Sequence, residues 1–474
     1  MNTIQEDEFY SLLYDIGKIE FRIINLSEIN LRGLASIEFI NCVFSKQVLI
    51  IDDDAIEGEN ENYKKITIKT CVFNGVHISK CNFSIFEVLD IKGINDFLIN
   101  DCKIDTLRFL DCSNIDFGIT FRQNVFNESF TFENNYFLIK GHLSFLNTNF
   151  NKLVIIKNNT FSILRFAFVK FKDFTAIIKN KFTNSLLENS FLLCEFEQID
   201  FSQNDFRDMK YIDCKFLGSA KFKDVPYNKL SIISFDMCNF YKHVNFNKSS
   251  FYKLIFENGS FIETASFQDT YFDIISIDRT TFESKAFFDN IQIKKIDDCS
   301  RKTIRTIKQE LQKAENKIDY NKFRVYEFNA YRNDIKNKLR EYDDDKDHLN
   351  HRVREPIQLK RDAFVLWISD LVSEYGTDWK RALNFTFWSG LSIYSLFYLI
   401  ENHNYTIEVS NWNNWSRFIS GLFRFFLVTD FYNPLETDRV YLTNPLSWLI
   451  FIFGKIVIAF GIYEMIQSFR KFKA

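Results

Sequence analysis

Residues 191–216 read FLLCEFEQIDFSQNDFRDMKYIDCKF. Phe191, Phe196, Phe201, Phe206, Tyr211 and Phe216 fall five residues apart. A helix repeats every 3.6 residues and a strand every two, so neither alone places a ring at each fifth position. Aromatics make up 17% of the chain. Five further hits at fixed spacing have a chance of about 1 in 7,000, so about 0.01 such runs are expected from the aromatics available. The spacing is a structural repeat.

The grid extends both ways. A six-residue step leads to Phe222, followed by Phe235 and Phe240, then Phe246, Phe251, Phe256 and Phe261. Another six-residue step leads to Phe267, Phe272, Ile277, Phe282 and Phe287. Upstream it is looser, at Phe73 and Phe83, Phe121 and Phe126, Phe132 and Phe137, and Phe145 and Phe150. A second column lies two residues before the large one. Cys42, Cys71, Cys81, Cys102, Cys194, Cys214 and Cys238 occupy it, as do Ser249, Gly259 and Ala265. Small and large residues in fixed alternation fit a narrow interior that both must fill. Seven of the nine cysteines share this phase. They read as core fillers rather than metal or redox groups, and His77 between Cys71 and Cys81 lacks a fourth ligand at zinc spacing.

These columns resemble the pentapeptide-repeat proteins, over about residues 35–292. That resemblance implies an all-β, right-handed quadrilateral β-solenoid, with five residues per side and about 20 per coil. About a dozen coils rising ~4.8 Å each give a rod on the order of 60 Å. Phe stands here where the family usually has Leu. Outward residues such as Glu197, Gln198, Gln203, Arg207 and Asp208 would carry any protein partner.

Charge is near balance, at −3 over 474 residues. Residues 1–300 hold 33 basic and 41 acidic side chains, and residues 301–474 hold 26 and 21. Neither imbalance points to nucleic acid. The start, MNTIQEDEFYSLLYDIG, lacks the basic and apolar regions of a signal peptide. Cysteines without a secretory signal or a CxxC pair point to reduced thiols in the cytosol.

From Ser300 a helical period begins, with Ile304, Ile307, Leu311, Ala314 and Ile318 on one stripe. This helix is expected to cap the open end of the solenoid or to form a coiled-coil seam. A second helix is expected over about 320–342. EYDDDKDHLNHRVREP (341–356) reads as a charged hinge. Its Asp343–Asp345 run and its His348/His351 pair fall short of calcium and zinc motifs.

Residues 382–400, ALNFTFWSGLSIYSLFYLI, carry no charge and suffice to span a bilayer. Residues 445–467 form a second span, whose apolar part 445–463 has one internal charge, Lys455; Glu464, nearer the cytoplasmic end, is expected at the surface. Basic residues outside both far ends place both termini in the cytoplasm. Between the spans, residues 415–433 are too short to cross and are interrupted by Arg417 and Arg424, so they read as a re-entrant helix. Residues 363–378 form an amphipathic entry, with Trp367, Leu371 and Tyr375 along the inner membrane surface. Segment order and the stretch SEYGTDWKRAL resemble bacterial pentapeptide-repeat membrane proteins that end in a two-helix, ion-channel-like module. The filter position reads VTDFYN (428–433), without the glycines that a carbonyl-lined potassium filter requires.

The expected organisation is a cap over 1–34, a solenoid over 35–292, a helical cap and linker over 293–362 and a membrane domain over 363–474. Thr429, Asp430, Tyr432, Asn433 and Lys455 are the candidate pore-lining residues. Asp430 and Asn433 also suit a plain capped turn, and Lys455 also suits snorkelling. No catalytic motif, metal set or cofactor fingerprint is present, so a non-enzymatic role is expected. Two roles remain open. One is a homo-oligomeric channel or membrane effector in the inner membrane, tetrameric by analogy, with a filter-less pore module and a cytoplasmic solenoid arm. The other is a membrane-anchored scaffold without conductance.

Overall fold

The computed structural model describes residues 2–57, 63–183, 189–344, 354–401, 412–436 and 439–470. The chain divides into two compact units, Met1–Glu315 and Asn316–Ala474.

The first unit is a parallel β-solenoid of about 13 turns. Each strand pairs with its counterpart one turn before and after. Phe191 lies beside Tyr211, and Tyr211 beside Phe235. These offsets are 20 and 24 residues, so turns vary in length while the inward phase is kept. Pairing begins already between Asn2–Ile4 and Arg22–Ile24, ahead of the expected start at residue 35. Twice per turn the backbone bends through the left-handed region, as at Leu193 (φ 52°), Gln203 (62°), Asp213 (49°) and Asp224 (55°). The residue after the bend points inward: Cys194, Asn204, Cys214 and Val225 are all buried. A short side chain there hydrogen-bonds the adjacent turn. Cys214 Sγ donates to Phe191 O at 3.3 Å, and Ser249 Oγ donates to Phe222 O at 2.7 Å.

Five asparagines hold the same phase as the cysteines, two residues before Phe126, Phe137, Phe161, Phe182 and Phe206. Four of them form a buried ladder. Asn135, Asn159 and Asn180 each donate backbone N–H and Nδ2 to Oδ1 of the next, ending at Asn204, with distances of 2.8–3.1 Å. This ladder satisfies backbone groups that would otherwise be orphaned in the core.

The fifth-position rings stack from turn to turn. One column runs Phe121, Phe145, Phe166, Phe191, Tyr211, Phe235 and Phe256, with centroids 4.6–5.1 Å apart. A second runs from Phe126 through Phe196 and Phe216 to Phe282. The final ring of the grid is corrected. Phe288, not Phe287, is fully buried and stacks on Phe267 at 4.7 Å. The six-residue step seen at 216–222, 240–246 and 261–267 recurs at 282–288, so it is an extra residue at the same place in four successive turns. Tyr211 alone breaks the apolar chemistry of its column, and its buried hydroxyl has no hydrogen-bond partner among the described residues. Tyr211→Phe is therefore expected to raise stability by about 1 kcal/mol, read as a higher unfolding midpoint.

Helices close the ladder at both ends. Helix α1 (Glu6–Ile16) buries Phe9 and Leu13, with the Phe9 ring 6.2 Å from Phe39. A short helix α2 (Asp53–Glu57) lies in an insertion that stretches one turn to 29 residues, from Phe39 to Ile68. Helix α3 (Arg301–Lys313) is capped by Ser300, which accepts from Thr303 N. Its Thr303 Oγ1 accepts from Ile277 N at 2.9 Å, and Glu310 Oε2 accepts from Ala286 N at 3.2 Å. Those amides face outward from the last turns, so α3 caps the sheet edge. The stripe ends at Leu311. Glu315 turns left-handed (φ 61°), and Ile318 starts the next helix exposed to solvent.

Among the described residues the second unit holds five helices: α4 (Lys317–Asp344), α5 (Arg354–Ser373), α6 (Trp379–Glu401), α7 (Trp412–Phe426) and α8 (Pro445–Arg470). Helices α6 and α8 are long and apolar enough to cross a membrane.

Candidate functional site in the second unit

Asp378 starts α6 by accepting from Lys380 N and Arg381 N at 2.9 and 3.2 Å. Along α6, Tyr394 and Phe397 are fully buried against Phe425 of α7 and Phe451 of α8. Tyr394 Oη donates to Phe418 O at 2.8 Å, tying α6 to the middle of α7. Small residues set the spacing of the helices. A Cβ at Gly461 would collide with Thr386 Oγ1, and one at Gly454 would meet the Phe425 ring.

Helix α7 starts beside Tyr398 and Leu399, near the C-terminal end of α6. There Ser395, Asn414, Trp415 and Phe418 complete an apolar cleft of about 230 Å³. It ends with Phe426 against Gly390, halfway along α6. The chain then returns to the start of α8. Arg417 and Arg424 had read as interruptions of an apolar run. They are the clamps of this return segment. Arg417 donates to Leu435 O (3.0 Å) and Glu436 Oε1 (2.9 Å). Arg424 donates to Glu436 O and pairs with Asp430 at 3.5 Å. The opposite face of α7 exposes Trp412, Trp415, Ile419 and Phe423, and Leu427 just past its end is exposed as well.

The five candidate residues fall into four groups. Thr429 is exposed on the turn. Asp430 accepts from Tyr432 N at 3.1 Å, and Asn433 accepts from Leu435 N at 3.0 Å while its Nδ2 donates to Glu401 at 3.4 Å. Within one chain both shape the turn. The Tyr432 ring packs 5.1 Å from Tyr441. Lys455, buried on α8, donates its ammonium to Leu427 O and Arg424 O at the C-terminus of α7. Its ammonium is thus satisfied by backbone carbonyls inside the unit.

Comparison with family models, curated proteins and solved structures finds no match.

The stretch SEYGTDWKRAL is a second constellation. Glu374, Tyr375 and Gly376 are all left-handed (φ 49°, 59° and 75°), which is costly for the two that are not glycine. The surroundings hold the turn in place. Tyr375 is 2% exposed, stacks on Phe328 of α4 at 5.0 Å and donates its hydroxyl to Asn329 Oδ1 at 3.1 Å. Burial pushes its phenol above the usual range. Arg324 of α4 donates to Tyr375 O. Ser373 accepts from Gly376 N (2.7 Å) and donates to Glu464 of α8 (2.5 Å). Two expectations are corrected here. Tyr375 packs on α4 instead of facing outward with Trp367 and Leu371, which are exposed. Glu464 is buried rather than at the surface, because Ser373 receives it.

No group of three His, Cys, Asp or Glu among the described residues could hold a metal. His348 and His351 lie outside the described residues. All nine cysteines are free and buried, and burial pushes the Cys112 thiol up to about 12, far from a reactive thiolate. On the solenoid, Glu197, Gln198 and Gln203 are exposed, whereas Asp208 accepts from Ile232 N of the next turn.

Proposed function

We propose that this chain is an integral membrane protein of the pentapeptide-repeat type, with a quadrilateral solenoid as its cytoplasmic arm. Helices α6 and α8 cross the inner membrane, both termini are cytoplasmic, and α7 is a re-entrant helix between them. The module is channel-like, without a filter, and assembles as a homo-oligomer, tetrameric by analogy. The observation that carries this reading is the path of α7. It descends from one end of α6 to its middle and meets Lys455, ten residues into α8. At 1.5 Å per residue that depth is about 15 Å, half of a hydrocarbon core of about 30 Å. The exposed apolar side chains of α6 and α8, among them Trp388, Leu449 and Ile456, suit a lipid surround. The arm would bias the spans through the turn at 373–376, which α4 and α8 both hold.

Purified full-length protein in detergent is expected to be oligomeric and to conduct ions in planar bilayers, with Asp430→Asn altering the current. A strict monomer would overturn the pore. One observation favours the scaffold reading instead: Asp430 and Asn433 are both engaged within their own chain. A scaffold would keep its function when residues 382–467 are exchanged for an unrelated hairpin.

A further inference from the structure

At the C-terminus of α7 four groups surround one ammonium, three from α7 and its end and one from α8. Lys455 Nζ donates to Leu427 O and, at 3.3 Å, to Arg424 O. The rings of Phe425 and Phe451 lie 5.7 and 4.9 Å from it. Carbonyl oxygens at a helix C-terminus carry the negative end of the helix dipole, and an aromatic face attracts a cation. The Asp430 carboxylate adds negative charge within electrostatic reach, and the Arg424 guanidinium paired with it adds an opposing positive charge. The side chain that reaches this place is 3% exposed.

We propose that this is a monovalent-cation site of the alkylammonium class, which the protein fills with its own side chain. A simple helix cap would need only a donor, and any amide could supply it. The two ring faces and the helix end select for charge as well. Lys455 is then a tethered cation, and shortening it leaves a pocket that takes a free primary ammonium. The site follows from the geometry of one chain and does not depend on the pore reading. Its consequence for transport does rest on that reading: while Lys455 is in place, no permeating cation can use the carbonyls of Leu427 and Arg424.

The test uses the full chain in detergent, comparing Lys455→Ala with wild type by thermal unfolding. Ethylammonium chloride is the probe, and choline chloride at equal ionic strength is the control without N–H donors. Lys455→Ala is expected to unfold several degrees lower. Ethylammonium is expected to restore about half of that shift or more by preferential binding to the folded state. Choline should restore none of it, and wild type should respond to neither. Equal effects of both salts, or none, would overturn the proposal. Should Lys455→Ala fail to accumulate, Lys455→Gln decides. It keeps N–H donors without the charge and should remain clearly below wild type, whereas wild-type stability would reduce the site to a cap. Neither result bears on oligomeric state or conductance, so the pore reading stands or falls separately.

Discussion

Phe235→Ala is expected to cost about 3–5 kcal/mol, the range for truncating a fully buried phenylalanine. Phe235 is 1% exposed. Its ring stacks on Tyr211 at 4.6 Å and on Phe256 at 5.1 Å, so one truncation opens two inter-turn contacts. It also meets Phe222 edge-on at 5.4 Å and Phe240 at 5.6 Å. The neighbouring rings cannot close the gap, because parallel backbone pairing fixes them on both sides. In a solenoid the loss falls on adjacent turns rather than on the whole array. Hydrogen exchange should therefore accelerate first in residues 209–212, 232–236 and 250–257, and reach Asn2–Ile4 last. Phe168, half exposed at a left-handed bend, is the control, and its truncation should change stability by less than about 0.5 kcal/mol. An equal loss at both positions would mean that the stacked columns do not hold the rod.

The solenoid was legible because its signal is one-dimensional. Each inward ring meets its own counterpart one turn later, so spacing along the chain is spacing in the core. The same reasoning held for the cysteines. It could have been carried to Asn124, Asn135, Asn159, Asn180 and Asn204, which share their phase. Asparagine reads first as a turn residue, and only its amide ladder shows why the interior accepts it. Phe287 and Phe288 were ambiguous for a similar reason, since adjacent phenylalanines give no phase of their own. The second unit was legible as segments and not as contacts. Hydropathy marks α6 and α8, but the partners of Arg417, Arg424 and Lys455 lie on other elements, where no spacing rule reaches. Tyr375 and Glu464 differ from expectation for that cause: one packs on α4, nearly fifty residues away, and the other meets Ser373, ninety-one residues away.

Lys64→Met is the second large effect, expected at about 3–5 kcal/mol, because it leaves a buried carboxylate unpaired. Lys64 and Asp52 are 2% and 1% exposed and 2.7 Å apart. They stand at the exit and entry of the insertion that holds α2. Asp52 follows strand Val48–Ile51, and Lys64 opens strand Lys64–Lys69. Lys64 Nζ also donates to Leu31 O at 2.5 Å and to Asp54 at 3.2 Å, so one ammonium joins the base of the insertion to the turn before it. Asp54 is held below the usual carboxylate range, first by the Gly33 N–H and then by Lys64. In the alternation of KKITIK, Lys64 falls on the inward phase with Ile66 and Ile68, so the sequence does mark it as an inward charge. The double variant Lys64→Met with Asp52→Ala removes both members and should recover most of the loss. The two single costs should then exceed the double cost by about 2 kcal/mol or more. Unfolding midpoints of the four proteins measure this coupling. Additive costs would mean that the pair fills space at the base of the insertion without holding it by charge.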